Sequence, residues 1–92
     1  MQGIRSSKRG RVELYGDILR AIQYDLTAHG AARLTRVQGA VNVPYDRFRR
    51  FVEALVSLRL VSLVKRGRAC EIVLEQKGLD YLRHYEAVRS LL

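Results

Sequence analysis

Apolar side chains recur every three or four residues from Arg11 to about Ala28, which predicts a first helix with one buried face. The stripe consists of Tyr15, Ile18, Leu19, Ile22 and Leu26. Gly30 follows as the expected terminator, because glycine accepts the backbone conformation in which helices end. Gly16 lies inside the helix, where glycine costs about 1 kcal/mol relative to alanine, so we expect it to mark a close helix contact.

Two further helices follow, joined by a short link. The second is predicted over Leu34 to Val41, and the third begins at Pro44, where proline is tolerated, and runs to about Leu58. Asn42 and Val43 form the link. The third helix has an aromatic inner side and an arginine-rich outer side. The inner stripe is Phe48, Phe51, Val52 and Leu55, and the other faces carry Asp46, Arg47, Arg49, Arg50 and Glu53.

The next segment predicts a β-hairpin, with strands over Val61–Lys65 and Arg68–Leu74. Three basic side chains lie at its exposed tip, namely Lys65, Arg66 and Arg68.

Two arrangements of the hairpin loop fit the pattern. With Arg66 and Gly67 as a two-residue loop, Val61 opposes Ile72. Leu63 then opposes Cys70, and both pairs share one face with Leu74. This loop requires positive φ at Arg66, which a type I′ turn demands and arginine disfavours. The alternative is a longer loop with Gly67 as its left-handed residue.

Gln76 to the C-terminus is predicted as the last helix, and it has two apolar stripes. Leu79 and Leu82 are expected to face the core. The second stripe consists of Tyr81, Tyr85, Val88 and Leu92. One small domain seldom needs both stripes, so the second one indicates a partner helix, most simply that of a second copy. The alternative is that both stripes straddle one broad contact with the first helix.

Charge divides the chain unevenly. The 92 residues carry 17 Lys+Arg against 9 Asp+Glu, a formal net charge of +8. Residues 33–68 hold nine basic and two acidic residues, a net +7, whereas residues 69–92 have a net charge of −1. Fourteen of the basic residues are arginines, which bind phosphates and base edges with two-pronged geometry. This clustering favours a polyanionic partner, and the alternative is a charged surface that only maintains solubility.

Composition excludes several classes of protein. A single cysteine forms neither an internal disulfide nor a zinc cage. No 18 consecutive apolar residues occur, so we expect no transmembrane helix and no membrane association. The basic N-terminus leads into no apolar signal-peptide core. The sequence therefore predicts an intracellular, cytoplasmic protein that folds as one domain.

The order of helix, helix, helix, hairpin and helix is typical of a winged helix-turn-helix domain, an α+β fold that is mainly α. We expect residues 11–75 to form this core, residues 76–92 a dimerisation helix, and residues 1–10 a basic arm. In such domains the third helix enters the major groove of double-stranded DNA, and the hairpin, or wing, reaches the backbone or minor groove.

Three segments resemble archaeal winged-helix DNA-binding domains. TRVQGAVNVPYDRF (Thr35 to Phe48) is similar to the family pattern T-R-I-x-x-x-A-N-L-S-Y, with direct matches at Thr35, Arg36, Asn42 and Tyr45. RGRVELYGDIL resembles the family's first helix, and LEQKGLDYL the start of its last. The resemblance covers roughly residues 9–92. It implies dimeric chromatin-type proteins or transcriptional regulators, joined through the C-terminal helix and associated with the nucleoid.

The chain departs from the family pattern at four places. Pro44 stands where serine caps the third helix, and Glu75 where threonine caps the last. Gly39 replaces a bulkier residue in the second helix. The last helix, at about 17 residues, is too short for the long antiparallel coiled coil of some chromatin-type members.

The candidate DNA contacts lie on the second helix, the third helix and the wing. The full set is Arg36, Tyr45, Arg47, Arg49, Arg50, Lys65, Arg66 and Arg68. An arginine that meets guanine discriminates bases, whereas one on a phosphate adds affinity alone. Tyr45 either hydrogen-bonds a phosphate or packs at the helix–helix corner, and Arg36 is either a phosphate ligand or an ordinary surface arginine. Arm residues Arg5, Lys8 and Arg9 are further backbone contacts or a free terminal charge run.

The remaining reactive residues predict no chemistry. His29 and His84 are far apart and lack metal-ligand spacing, so we expect surface positions. Cys70 is expected to be a small core residue. The glycines lack the setting of a phosphate-binding loop. We therefore expect a protein that is not an enzyme and has no cofactor, metal or small-molecule ligand. The alternative function is a winged-helix module that binds protein or RNA.

Overall fold

Four helices and one hairpin follow one another in the order that the apolar periodicity predicts. The computed structural model describes residues 10–92, so the N-terminal arm lies almost wholly outside the described part. The elements are α1 (Arg11–His29), α2 (Leu34–Val41), α3 (Tyr45–Ser57), β1 (Val61–Arg66), β2 (Ala69–Leu74) and α4 (Gln76–Ser90). The α+β winged helix-turn-helix fold is thereby confirmed.

The core lies where α1, α2, α3 and the base of the hairpin meet. Its fully buried side chains are Ile18, Leu19, Ile22, Val37, Phe48, Leu55 and Val61. The predicted stripe of α1 is wrong at its C-terminal end, where Leu26 is 44% exposed. Leu14, near the N-terminal end of the helix, is buried and was not in the predicted stripe. The last turn of α1 extends beyond the core. Leu26 therefore continues the apolar stripe, but no other element within residues 10–92 packs over it and buries it.

Helices α1 and α2 both end on a left-handed residue. Gly30 has φ 79° and donates its N–H to the Leu26 carbonyl at 2.8 Å. Asn42 has φ 56° and donates to the Gln38 carbonyl at 3.2 Å. Asparagine accepts this conformation better than other non-glycine residues, which explains its place in the link between α2 and α3.

Pro44 precedes α3 and leaves it without a side-chain cap, as the departure from serine implies. The Gln38 amide donates instead to the Val43 carbonyl at 2.7 Å. This bond ties α2 to the residue just before the proline and so helps to hold the turn between the two helices.

The predicted hairpin register is wrong by two residues. Val61 pairs with Leu74, and Leu63 pairs with Ile72. The loop consists of Gly67 and Arg68. Gly67 has φ 61°, so it is the left-handed residue that the alternative arrangement named, although the loop is still two residues long. A two-residue loop of type II′ needs positive φ at its first central position, where glycine meets no steric penalty. A shift of two residues keeps every side chain on its predicted face, so the apolar pattern could not detect the error.

The connection between α1 and α2 forms an isolated bridge with β2. Arg33 forms an antiparallel bridge with Glu71, and Ile72 donates its N–H to the Ala32 carbonyl at 2.9 Å. The hairpin is thereby attached to the α1–α2 connection as well as to the end of α3.

Two glycines set the position of α4. A Cβ built on Gly78 would lie 2.1 Å from the Leu60 carbonyl oxygen, and one built on Gly16 would lie 2.4 Å from the Tyr85 ring. The predicted close contact at Gly16 is confirmed. With α4 in this orientation, Leu82 is buried and Leu79 is 37% exposed. The prediction that both leucines face the core is therefore wrong for Leu79.

Candidate nucleic-acid interface

The outer face of α3 presents three exposed arginines. Phe48 and Leu55 on the inner face are completely buried, which fixes the roll of the helix. At about 100° per residue, Arg47 and Arg49 lie on opposite flanks, about 160° apart, with Arg50 between them. The three guanidiniums therefore fan out over a broad arc of the exposed surface.

Each arginine of α3 has a different environment. The Arg47 guanidinium lies over the Phe51 ring, 5.7 Å from its centroid. Arg49 Nη2 is 3.9 Å from Glu53 Oε2, an exposed pair worth little energy. Arg50 makes no ion pair or hydrogen bond with residues 10–92. Stacking orients Arg47 before any ligand arrives, whereas Arg50 keeps all its donors available.

Tyr45 is the first residue of α3 and is 47% exposed. Its hydroxyl makes no hydrogen bond within the described part of the chain. The side chain is therefore at the surface of the turn and not enclosed in the corner between α2 and α3.

Arg36 has an intramolecular partner. Its Nε lies 2.8 Å from Asp25 Oδ1, and its Nη2 donates to the Ala31 carbonyl at 3.1 Å. The backbone N–H of Arg33 donates to Asp25 Oδ2 at 2.9 Å. This pairing explains why a basic residue occurs in the first turn of α2 even without a bound phosphate. Contact between Arg36 and a DNA phosphate stays a prediction.

Asp25 is the one charged residue buried in the part of the chain that the structure describes. Burial raises the pKa of the carboxyl, but the hydrogen bonds from Arg36 and Arg33, with the charges of Arg36 and His29, outweigh it and lower the pKa below its ordinary value. Sequence reasoning missed this residue. An acidic residue in the last turns of a helix opposes the helix dipole, and that mismatch was the available signal.

The wing carries its basic residues at the exposed tip, as predicted. Lys65, Arg66 and Arg68 are all exposed. Arg66 Nε lies 3.3 Å from Glu71 Oε1 across the hairpin. Lys65 and Arg68 form no ion pair within residues 10–92. Cys70, expected in the core, is only half-buried because it lies toward the tip.

The second stripe of α4 divides into two parts. The Tyr81 hydroxyl donates to the Val12 carbonyl at 2.8 Å, and the Tyr85 hydroxyl to Asp17 Oδ1 at 3.1 Å. Burial raises the pKa of both phenols, so they stay protonated donors near neutral pH. The tyrosine half of the stripe thus contacts α1, as the alternative interpretation held. Val88 is 57% exposed and Leu92 fully exposed.

The histidines lie at the surface. His29 ends α1 with Nε2 3.6 Å from Asp25 Oδ1, and His84 is exposed on α4. Within residues 10–92, no three His, Cys, Asp or Glu side chains are grouped to hold a metal. None of the helices in the described range is long and apolar enough to span a membrane.

The helix-turn-helix, the wing and the four-helix order define a winged helix-turn-helix domain. No protein-family model and no curated protein sequence matches the chain.

Solved structures match it closely in fold. AF1382 from Archaeoglobus fulgidus has a TM-score of 0.77 at 19% identity, over 86% of this chain and 87% of that one. Sso10a-2, a DNA-binding protein from Sulfolobus solfataricus, has a TM-score of 0.72 at 20% identity, over 90% and 81%. F93 from STIV, a winged-helix DNA-binding protein, has a TM-score of 0.65 at 15% identity, over 88% and 90%.

Proposed function

We propose that this protein binds double-stranded DNA, with α3 in the major groove and the wing on the sugar–phosphate backbone. The observation that carries the proposal is the two-sided character of α3. Phe48 and Leu55 on its inner face are completely buried, while Arg47, Arg49 and Arg50 are all exposed. In the major groove, the central side chain of such an exposed face can contact base edges, and the side chains on its two flanks can contact phosphates.

The wing supports the same function from a second element. Lys65 and Arg68 are exposed and unpaired among the described residues. Two of the structures with this fold, Sso10a-2 and F93, are described as DNA-binding proteins. The net +7 between residues 33 and 68 covers α2, α3 and most of the wing, so the positive charge belongs to the elements that dock on DNA in this fold.

The protein is proposed to act as a homodimer joined through α4. A groove of about 450 Å³ lies between α4 and the start of α1. The exposed apolar side chains on its rim are Val12, Val88 and Leu92. Because Tyr81 and Tyr85 are bonded to α1, they shape this groove, and Val88 and Leu92 are the residues available to a second copy.

The cellular role we propose is that of a transcriptional regulator or an architectural DNA-binding protein in the cytoplasm, without enzymatic activity. Selection of bound sequences from a random duplex pool separates these two roles. A sharp consensus identifies a regulator, and the absence of enrichment identifies an architectural protein.

The test of the main proposal is a mobility-shift competition between duplex DNA and duplex RNA of the same sequence. The major groove of A-form RNA is too narrow to admit a protein helix. We therefore expect the protein to stay bound to duplex DNA when duplex RNA is added as competitor. Arg49→Ala with Arg50→Ala is expected to abolish tight binding with an unchanged circular dichroism spectrum. Preferred retention on RNA, or no shift with either, contradicts the proposal and favours the RNA-binding or protein-interaction alternative.

A further inference from the structure

A cationic cavity of about 300 Å³ lies between the first turn of α1 and the outer flank of α3. It is lined by Arg11, Tyr15, Arg47, Arg50, Phe51 and Ala54. Three of these six residues are arginines and none is acidic. Guanidiniums that share one cavity repel each other, and an anion between them removes that repulsion.

The N-terminus of α1 adds donors to this cavity. Arg11 is the first residue of the helix, and the N-cap, Gly10, provides no side-chain hydrogen bond. The first backbone N–H with an intrahelical partner is that of Leu14, which donates to Gly10. Among residues 10–92, the N–H groups of Arg11, Val12 and Glu13 have no backbone acceptor. The positive end of the helix dipole favours an anion at this position.

Tyr15 provides an independent observation that points to a ligand. The residue is only 7% exposed, yet its hydroxyl makes no hydrogen bond within residues 10–92. Buried tyrosine hydroxyls normally have a partner. Helical side chains lean toward the helix N-terminus, so the phenol of Tyr15 leans toward Arg11, four residues earlier. A T-shaped contact with Phe51, with ring centroids 6.3 Å apart, holds the ring in place.

We propose that this cavity binds a phosphate-type oxyanion, held by Arg11, Arg47, Arg50 and the Tyr15 hydroxyl. Guanidinium groups grip phosphate oxygens in pairs, and the cation–π contact of Arg47 with Phe51 fixes one of them in advance. Because Arg47 and Arg50 belong to α3, the natural source is a DNA phosphodiester at the edge of the major groove. That source rests on the proposed function, whereas the oxyanion site itself does not.

The first measurement examines the site without DNA. The full chain is titrated with inorganic phosphate at constant ionic strength while amide and arginine Nε–H signals are followed by NMR. We expect saturable shifts at the amides of Arg11, Val12 and Glu13. Arg11→Gln is expected to abolish them. Tyr15→Phe, which removes only the hydroxyl, should weaken phosphate binding about tenfold, and its melting temperature shows whether the fold is intact. Arg83→Gln on α4 is the control, with no expected effect.

The second measurement uses duplex DNA. Arg11→Gln is expected to reduce the salt dependence of binding by about 0.9 in the slope of log K against log salt, the equivalent of one phosphate contact. Arg83→Gln should leave the slope unchanged. A reduced slope together with the phosphate shifts identifies the DNA backbone as the source. Phosphate shifts with an unchanged slope support the site and identify a free phosphate or phosphorylated small molecule as its ligand.

Two results separate failure of this inference from failure of the proposed function. Absence of saturable phosphate shifts, or shifts that neither Arg11→Gln nor Tyr15→Phe alters, overturns the oxyanion site even if duplex DNA binds. A chain that binds phosphate at this cavity but does not bind duplex DNA overturns the proposed function and supports the site.

Discussion

Gly39 and Gly78 lie in helices but have different neighbours, which determine whether each position tolerates a larger residue. Gly39 on α2 has no atom within 4 Å of an added Cβ, so nothing requires a glycine there. At Gly78 the obstacle is the backbone carbonyl oxygen of Leu60. A backbone atom cannot rotate away, so α4 would have to move away from the base of the hairpin.

Substitution of these two glycines by alanine is predicted to have opposite effects. Gly39→Ala should raise the free energy of unfolding by about 0.5–1 kcal/mol, because alanine restricts the unfolded chain and favours the helix. Gly78→Ala should lower it by about 1–3 kcal/mol through overpacking. Urea unfolding followed by circular dichroism measures both. Equal effects of the two substitutions would contradict the close approach of α4 to Leu60.

The carboxylate of Asp25 joins the end of α1 to the start of α2. It accepts the backbone N–H of Arg33 and the guanidinium of Arg36. The pKa of this carboxyl is lower in the folded chain than the ordinary 3.8. The ionised form therefore stabilises the fold above that pH, and the contribution disappears as the pH falls through the lowered pKa.

Asp25→Asn is predicted to lower the free energy of unfolding at pH 7 by about 1–2 kcal/mol, since hydrogen bonds to a charged acceptor are lost. The difference between wild type and variant should shrink as the pH falls below 3.8, where the carboxyl of the unfolded chain becomes protonated, and should disappear below the lowered pKa of the folded chain. Chemical unfolding at a series of pH values tests this. A difference that stays constant down to pH 2 would show that the charge of Asp25 has no part in stability.

At the scale of elements, the second apolar stripe of α4 has two parts that its pattern alone could not separate. Tyr81 and Tyr85 hold α4 against α1 through hydroxyl bonds to Val12 and Asp17. Val88 and Leu92 lie further along the same stripe and are exposed. Changes at the tyrosines therefore affect the protomer fold, whereas changes at Val88 are suited to test the proposed dimer.

Val88→Asp is predicted to raise the dimer dissociation constant by at least about tenfold, because dimerisation would bury an unpaired charge. Light scattering coupled to gel filtration measures the mass across a concentration series, with about twice 10.6 kDa expected for the wild type. Val56→Asp, an exposed valine on α3, is the matched control. A wild-type monomer at tens of micromolar would contradict the dimer, and the exposed end of α4 would then need another explanation.

At the scale of the whole molecule, the charge separates into a cationic part and a near-neutral part. The span from residue 33 to 68 carries net +7 and includes α2, α3, β1 and the hairpin loop. Residues 69–92 have a net charge of −1 and include α4. The near-neutral end is suited to contact between copies, since like-charge repulsion there is small.

The proposed DNA footprint predicts the salt dependence of binding. Five or six phosphate contacts per protomer give a slope of log K against log salt near −5, because each neutralised phosphate releases counterions. Fluorescence anisotropy with a labelled duplex at several salt concentrations measures it. A slope near −1 would mean that most of the exposed arginines lie away from the DNA.

The sequence by itself predicted all four helices, the hairpin and the order that defines the fold. Each helix carries an apolar stripe with a period near 3.6 residues, and this local pattern depends on no distant residue. Gly30 ends α1 where predicted. The arginines of α3 are exposed because Phe48 and Leu55 determine which side is buried. The unbroken apolar stripe of α3 was therefore enough to assign its outer face.

Only the tertiary structure decided which surfaces meet. The hairpin register depended on which residue takes positive φ, and the apolar pattern is identical after a shift of two. The pairing of Asp25 with Arg36 joins residues on two helices, and no local period reveals such a contact. Likewise the cavity shared by Arg11, Tyr15 and Arg47 exists because α1 and α3 pack side by side. Periodicity reports what a segment buries, whereas the identity of its partner depends on how the whole chain packs.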